Sequence, residues 1–319
     1  MHASTYGCHP SFMHTFGLAA LATSWMFFAA AAHAQGDGPR AYQVVPNGTT
    51  LLSVYGLSLE GNQTADPGVV IKGGDIDVSL GILQVTHSFA VMDRQAAAFA
   101  VLPYGEVSGK LRSPFLDVRG SNTGMGDLIL GSVLGVVGPP PLTIDEFIKY
   151  DPGFALGLLA KVSMPTGQYD EDDLLNVGGN RWTVTLGVPF GWYIGDSFLD
   201  PGLATIELLP SVQIFGSNND PRGADETGQD PMLRLETHLT KNLHRAVWVS
   251  LDGLYLYGGE TNTDGRSNDD AQDAFELGGT VNVNFSKTSS VKLSYGEVVS
   301  RNDDGPDGKM ARIIFNLAF

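Results

Sequence analysis

Three residues at alternate positions, Arg234, Glu236 and His238, put a cation, a carboxylate and a titratable ring on one face of any extended segment that carries them. Such a set can hold an ion, relay a proton or pair with itself. The same alternation assigns Asp75, Asp77, Asp127, Lys161, Glu207, Asp252, Glu276, Lys292 and Arg312 to the equivalent face of other segments, with Trp248 among them. Two readings stand for charges of both signs lining a narrow lumen. They pair across strands, because an unpartnered charge away from water is costly, or they form a polar path for a solute, as rings of charge tune pores. Trp248, Leu254 and Leu256 fall on the face of Ser250 and Asp252, which adds greasy patches suited to an aromatic or fatty solute. A bulge at Gly253 would instead turn the two leucines to the opposite face.

Catalytic chemistry has little support in these residues. The chain has no Gly-x-Ser-x-Gly elbow, no His-Glu-x-x-His and no phosphate-binding Gly-x-x-x-x-Gly-Lys. His87 and Ser88 are adjacent, so a strand places them on opposite faces, where they cannot form a dyad. Residues 302–307 (Asn-Asp-Asp-Gly-Pro-Asp) only loosely resemble a calcium loop, and solvated loop tips are the plainer reading. No cofactor and no metal is expected.

The elements that must position these groups read most clearly at the end of the chain. Phe319, Leu317, Phe315, Ile313 and Ala311 share one face of a strand, and Asn316 and Arg312 the other. A strand with one greasy and one wet face can bound a pore. Ile313, Phe315, Leu317 and the terminal aromatic Phe319 look like the sorting signal that the barrel-assembly machinery reads in bacterial outer-membrane β-barrels; the final core strand of a soluble sandwich is the alternative. At the other end, residues 16–32 form an apolar run closing on Ala32-His33-Ala34, a small-x-small site that predicts cleavage between Ala34 and Gln35. The expected organisation is a signal peptide at 1–34 and a barrel at 35–319. No Lys or Arg precedes the apolar run, a departure from the usual positive start. The single cysteine, Cys8, lies in the predicted signal, so disulfides play no part in the exported chain. A net charge of −16 disfavours nucleic acid as a partner.

Forty glycines and seventeen prolines fit many strands and turns. Twelve alternating or short apolar segments are expected at about 49–60, 75–89, 95–111, 124–138, 153–165, 181–194, 203–216, 231–240, 246–258, 273–286, 290–301 and 309–319. Short links at 91–94, 241–245 and 286–289 alternate with long polar ones at 61–74, 166–180, 217–230, 259–272 and 302–308. Transmembrane barrels combine an even strand count, short periplasmic turns and long outer loops in this way. The fold expectation is therefore an all-β, antiparallel up-and-down transmembrane barrel in the bacterial outer membrane, with membrane lipid and lipopolysaccharide as neighbours. One link breaks the alternation: 138–152 is long, proline-rich and periplasmic, and its 142–150 piece suits a short amphipathic helix. Aromatics near strand ends (Tyr55, Trp182, Trp192, Tyr193, Tyr255, Tyr257, Tyr295) read as membrane-interface girdles.

Gly124-Met125-Gly126-Asp127-Leu128 opens a predicted strand, and Met164-Pro165-Thr166-Gly167-Gln168-Tyr169-Asp170 follows, then Asn176, Gly179-Asn180 and Trp182. With Leu102-Pro103-Tyr104 and the terminal Phe319, this order and spacing resembles the MetA-pathway of phenol degradation family of outer-membrane proteins. The resemblance implies a barrel that passes aromatic or other hydrophobic compounds inward, and no catalytic residues. The functional expectation is thus a channel for passive uptake of small hydrophobic or aromatic solutes. A closed-lumen envelope barrel is the alternative, and a lipid-modifying barrel enzyme a more distant one.

Overall fold

The computed structural model describes residues 36–66, 68–113 and 116–319. The predicted signal peptide and the Ala34/Gln35 cleavage point lie outside the described residues. Twelve antiparallel walls close on themselves. They are β1 (Thr50–Gly61), β2 (Gly74–Val91), β3 (Arg94–Ser113), β4 in two pieces (Leu116–Met125 and Leu128–Val137), β5 (Phe154–Met164) and β6 in two pieces (Thr183–Gly187 and Phe190–Ile194). β7 (Ala204–Phe215), β8 (Met232–His244), β9 (Val247–Gly258), β10 (Gln272–Asn284), β11 (Ser289–Arg301) and β12 (Gly308–Ala318) follow. Each wall pairs with its sequence neighbours, and the ring is completed where β1 meets β12, with Val54 opposite Phe315. Full closure leaves no unpaired edge in the hydrocarbon, where a free N–H or C=O would have no water to bond.

Alternation sets the two surfaces. On β12, Ala311, Ile313, Phe315, Leu317 and Phe319 point outward, while Met310, Ile314 and the half-buried Arg312 and Asn316 point inward. The outward rows continue through Leu186 and Trp192 on β6, with Trp182 just before it, and Phe275, Leu277 and Val281 on β10. Lipid, not water, is the solvent that such a belt requires.

The structure departs from the sequence expectation in three places. First, the Gly124-x-Gly126-Asp127 stretch does not open the fourth wall but interrupts it, since its outer half already begins at Leu116 and pairs with β3 (Tyr104 opposite Met125). Second, Asp75 and Asp77 face outward, not into the lumen: Ile76 and Val78 are the inward residues, buried to 2% and 0% exposure. The reason is that β2 and β3 project past the membrane at the outer end. There the inside is filled with apolar loop residues and the outside is water, so the polarity of the alternation inverts. Asp75 pairs with Lys110 at 2.5 Å on that outer surface, and Glu60 pairs with Lys309. Replacing Asp75 or Asp77 by Ala is expected to change stability by no more than about 0.5 kcal/mol, as for other exposed surface charges, and to leave transport unaltered; urea unfolding and probe uptake check this. Third, Tyr55 and Tyr193 are not girdle residues. Both line the lumen, and the Tyr55 hydroxyl donates to Gln84 Oε1 at 2.6 Å.

The periplasmic link carries the expected helix, α1 (Ile144–Lys149), closed by a reciprocal Thr143/Glu146 capping box. Phe147 from this helix stacks on Phe198 with ring centroids 4.8 Å apart and joins Leu142, Tyr193 and Leu203 in an apolar cluster below the lumen.

Candidate functional site: a lumen occupied by the N-terminal segment

The barrel encloses a cavity of about 650 Å³. Its wall has two characters. Along β1 to β5 the inward residues are mainly apolar, including Leu57, Leu80, Ile82, Phe99, Val101 and Ile129. Along β7 to β12 they are charged or polar: Glu207, Arg234, Glu236, His238, Lys292 and Arg312, with Trp248 between them. Leu254 and Leu256 are also buried inward, because the β9 register runs through Gly253 against both neighbours without a bulge.

Two kinds of partner satisfy the lumen charges. Some pair across strands. His238 lies opposite Asp252 in the β8/β9 register, and its Nδ1 is 2.8 Å from Asp252 Oδ1. Asp252 also accepts from Thr280 at 2.6 Å and Ser250 at 2.5 Å. Arg234 donates across to Gln213 at 3.3 Å and lies 3.8 Å from Glu236 on its own strand. Glu276 is fully buried on the neighbouring wall, outside the cavity lining.

The remaining partners come from residues 36–46, which thread through the lumen before β1 begins. Two wall carboxylates accept backbone N–H groups: Asp37 N donates to Glu236 at 2.7 Å, and Arg40 N to Glu207 at 2.7 Å. Two wall cations donate to backbone carbonyls, Lys292 to Pro39 O at 2.7 Å and Arg312 to Gly36 O at 2.8 Å. Side chains add to this. Asp37 receives Lys161 Nζ on both carboxylate oxygens at 2.8 Å. The Arg40 guanidinium bonds Thr240 and Asn242 and lies 4.6 Å from the Trp248 ring centroid. Gly38 turns at φ +92, a backbone conformation that favours glycine, and packs beside the Arg312 guanidinium. The segment leaves at the periplasmic end, where Gln95 and Ser88 donate to the Val45 and Pro46 carbonyls. Charges that alternation alone could only group on one face are thus neutralised by a short strap from the same chain.

Loops fold over part of the outer mouth. Leu175 and Val177 pack on Leu59, Ile76, Val78, Val107 and Met310. Asp127 anchors this loop: its Oδ1 accepts the Gly167 N–H at 2.8 Å and its Oδ2 the Gly179 N–H at 3.0 Å. Arg181 bridges Asp66 at 2.8 Å and Gln229 at 2.9 Å, and lies 4.5 Å from the Phe215 ring centroid. Burial pushes the Asp66 carboxyl above its ordinary range although Arg181 pulls it down. Asp127 was expected as a lumen charge, and it does reach the cavity, but its carboxylate is spent on loop anchoring.

A closed twelve-strand barrel with an outward apolar belt and an interior that carries charged and polar groups on one side is a transmembrane barrel of the bacterial outer membrane. The chain belongs to the family described as "Putative MetA-pathway of phenol degradation", which it matches over residues 60–305. Among solved structures, an outer membrane channel of Pseudomonas putida F1 is similar at a TM-score of 0.72 and 22% identity, covering 88% of this chain and 99% of that one. The β domain of a Bordetella autotransporter is a more distant likeness, with a TM-score of 0.47, 11% identity, and coverage of 86% of this chain and 100% of that chain. No curated protein sequence matches the chain.

Proposed function

We propose that the barrel is a channel for passive uptake of small hydrophobic compounds, aromatic ones included, and that the N-terminal strap closes it at rest. The observation that carries this reading is the apolar half-wall of the 650 Å³ cavity, which leaves room for a greasy solute beside the strap. Membership in a family described by phenol degradation agrees with it. The closed-lumen alternative draws on the strap itself. What favours transport is that the strap is held by polar contacts and no disulfide, so hydration of both partners can replace what its release breaks.

A catalytic role is not proposed. His238 presents Nδ1 to Asp252 and Nε2 to Glu236 at 3.7 Å, and Ser250 donates to Asp252, not to the ring. The group that would be a base therefore has no hydroxyl to activate. Residues 1–34 are read as the export signal and Ile313, Phe315, Leu317 and Phe319 as the row that the assembly machinery grips. Lipopolysaccharide would surround the outer rim.

Influx of the neutral dye 1-N-phenylnaphthylamine into cells with an intact lipopolysaccharide leaflet tests the proposal, because that leaflet slows passage of greasy solutes through lipid. Expression of the protein should raise initial influx several-fold, whereas equal rates with and without the barrel would sink the transport reading.

A further inference from the structure

Lys161 stands apart from the other lumen cations. It projects from β5 on the apolar side of the cavity, where its cross-strand neighbours are Gly131 and Thr185, neither of which carries charge. Phe99 covers Gly131, since a Cβ added there would meet the ring at 2.2 Å. The flanking wall positions thus carry no counter-charge, and the carboxylate that balances the ammonium comes from outside the wall. That carboxylate is Asp37, gripped through both oxygens at 2.8 Å. The Tyr42 hydroxyl, also on the strap, donates to the same carboxylate at 2.5 Å. When the strap leaves, Asp37 and Tyr42 leave together and the ammonium faces the cavity. Leaving such a charge unpaired away from bulk water is unfavourable.

We propose that Lys161 is the anion-binding residue of the lumen, and that small hydrophobic carboxylic acids, aromatic acids foremost, bind there by taking the place of Asp37. Asp37 acts as a tethered ligand. An incoming acid reproduces its contact with the ammonium and adds what an aspartate lacks, an apolar body against Phe99 and its neighbours. The strap and the solute then compete for one cation, which couples arrival of the solute to release of the strap. This specificity rests on the reading of the lumen as the route for hydrophobic solutes.

The test compares 4-hexylbenzoate with its neutral relative 4-hexylbenzyl alcohol, by equilibrium binding to the mature protein in lipid nanodiscs. Asp37→Asn should bind the acid about tenfold more tightly than the parent does, since the tethered competitor is gone, with little change for the alcohol. Adding Lys161→Met to that variant should abolish the preference for the acid, while adding Lys161→Arg should keep it. The Asp37→Asn/Lys161→Met pair is neutral and leaves no lone charge, and the heat-dependent gel shift of folded barrels verifies that each variant is intact. Equal gains for acid and alcohol, or an acid preference that survives Lys161→Met, would overturn the proposal. Failure of the alcohol to bind any variant would instead count against the hydrophobic route itself, so the two failures are distinguishable.

Discussion

Removal of residues 36–45 should convert a nearly closed barrel into an open one, raising dye influx and single-channel conductance by roughly tenfold or more. The strap bonds Glu207, Glu236, Lys161, Lys292 and Arg312 at once. Charge-assisted bonds of this kind contribute about 1.5–3 kcal/mol each, net of exchange with water, before the entropy of ordering the strap is subtracted. Even one or two kcal/mol of net hold keeps the open state to a minor population. A milder variant makes the same point without deletion. Arg40→Ala removes the bonds to Thr240 and Asn242 and the contact with Trp248, and should lengthen channel openings about tenfold if their net value is near 1.4 kcal/mol. Conductance unchanged in both variants would show that the closure lies elsewhere, with the outer loops as the place to look.

Those loops give the second large effect. Asp127→Ala should free the segment from Gly167 to Gly179, because one carboxylate accepts a backbone N–H from each end of it. Losing two such bonds and leaving two backbone donors without their carboxylate costs about 3 kcal/mol. Where opening is fast relative to cleavage, that corresponds to roughly 100-fold faster proteolysis within residues 165–182. Asp127→Asn is not a rescue. Its amide offers one acceptor oxygen where the two glycines need two, and sets an NH₂ against an N–H. Wild-type proteolysis rates in the alanine variant would refute the anchoring role. Asp75→Ala, two walls away and exposed, supplies the contrast.

The walls were legible because lipid imposes a rule with few exceptions. On β12 and β10 a two-residue period separates lipid from lumen in each residue between Met310 and Phe319, and between Phe275 and Val281. The rule fails where its solvent changes. Asp75 and Asp77 sit above the membrane, so the polar side of β2 turns outward, and nothing in those residues marks the depth at which this happens. Tyr55 and Tyr193 illustrate a different limit, since an aromatic near a strand end suits a girdle or a lumen equally well. The strap was not legible at all. Gly36-Asp37-Gly38-Pro39-Arg40 has no period to read, and its partners lie 124 to 200 positions away for Lys161, Glu207, Glu236 and Thr240. The sequence nevertheless carried a clue in the imbalance it left, a lone Lys161 among glycines, leucines and alanines on β5. A buried charge without a counterpart on neighbouring walls implies one delivered from elsewhere. Asp127 shows the intermediate case: its motif stood out, but its role required the 165–182 loop to fold back.

The central claim is that solutes pass through the lumen only when the strap moves. With its only cysteine in the predicted signal, the chain permits a direct test. Cysteines placed at Arg40 and Asn242, whose side chains touch at 2.9 Å, can be joined by a short bismaleimide, and dye influx measured in the same cells before and after joining. The account predicts that the joined barrel loses its added influx while each single-cysteine control keeps it. Influx that persists with the strap tied to the wall would contradict it.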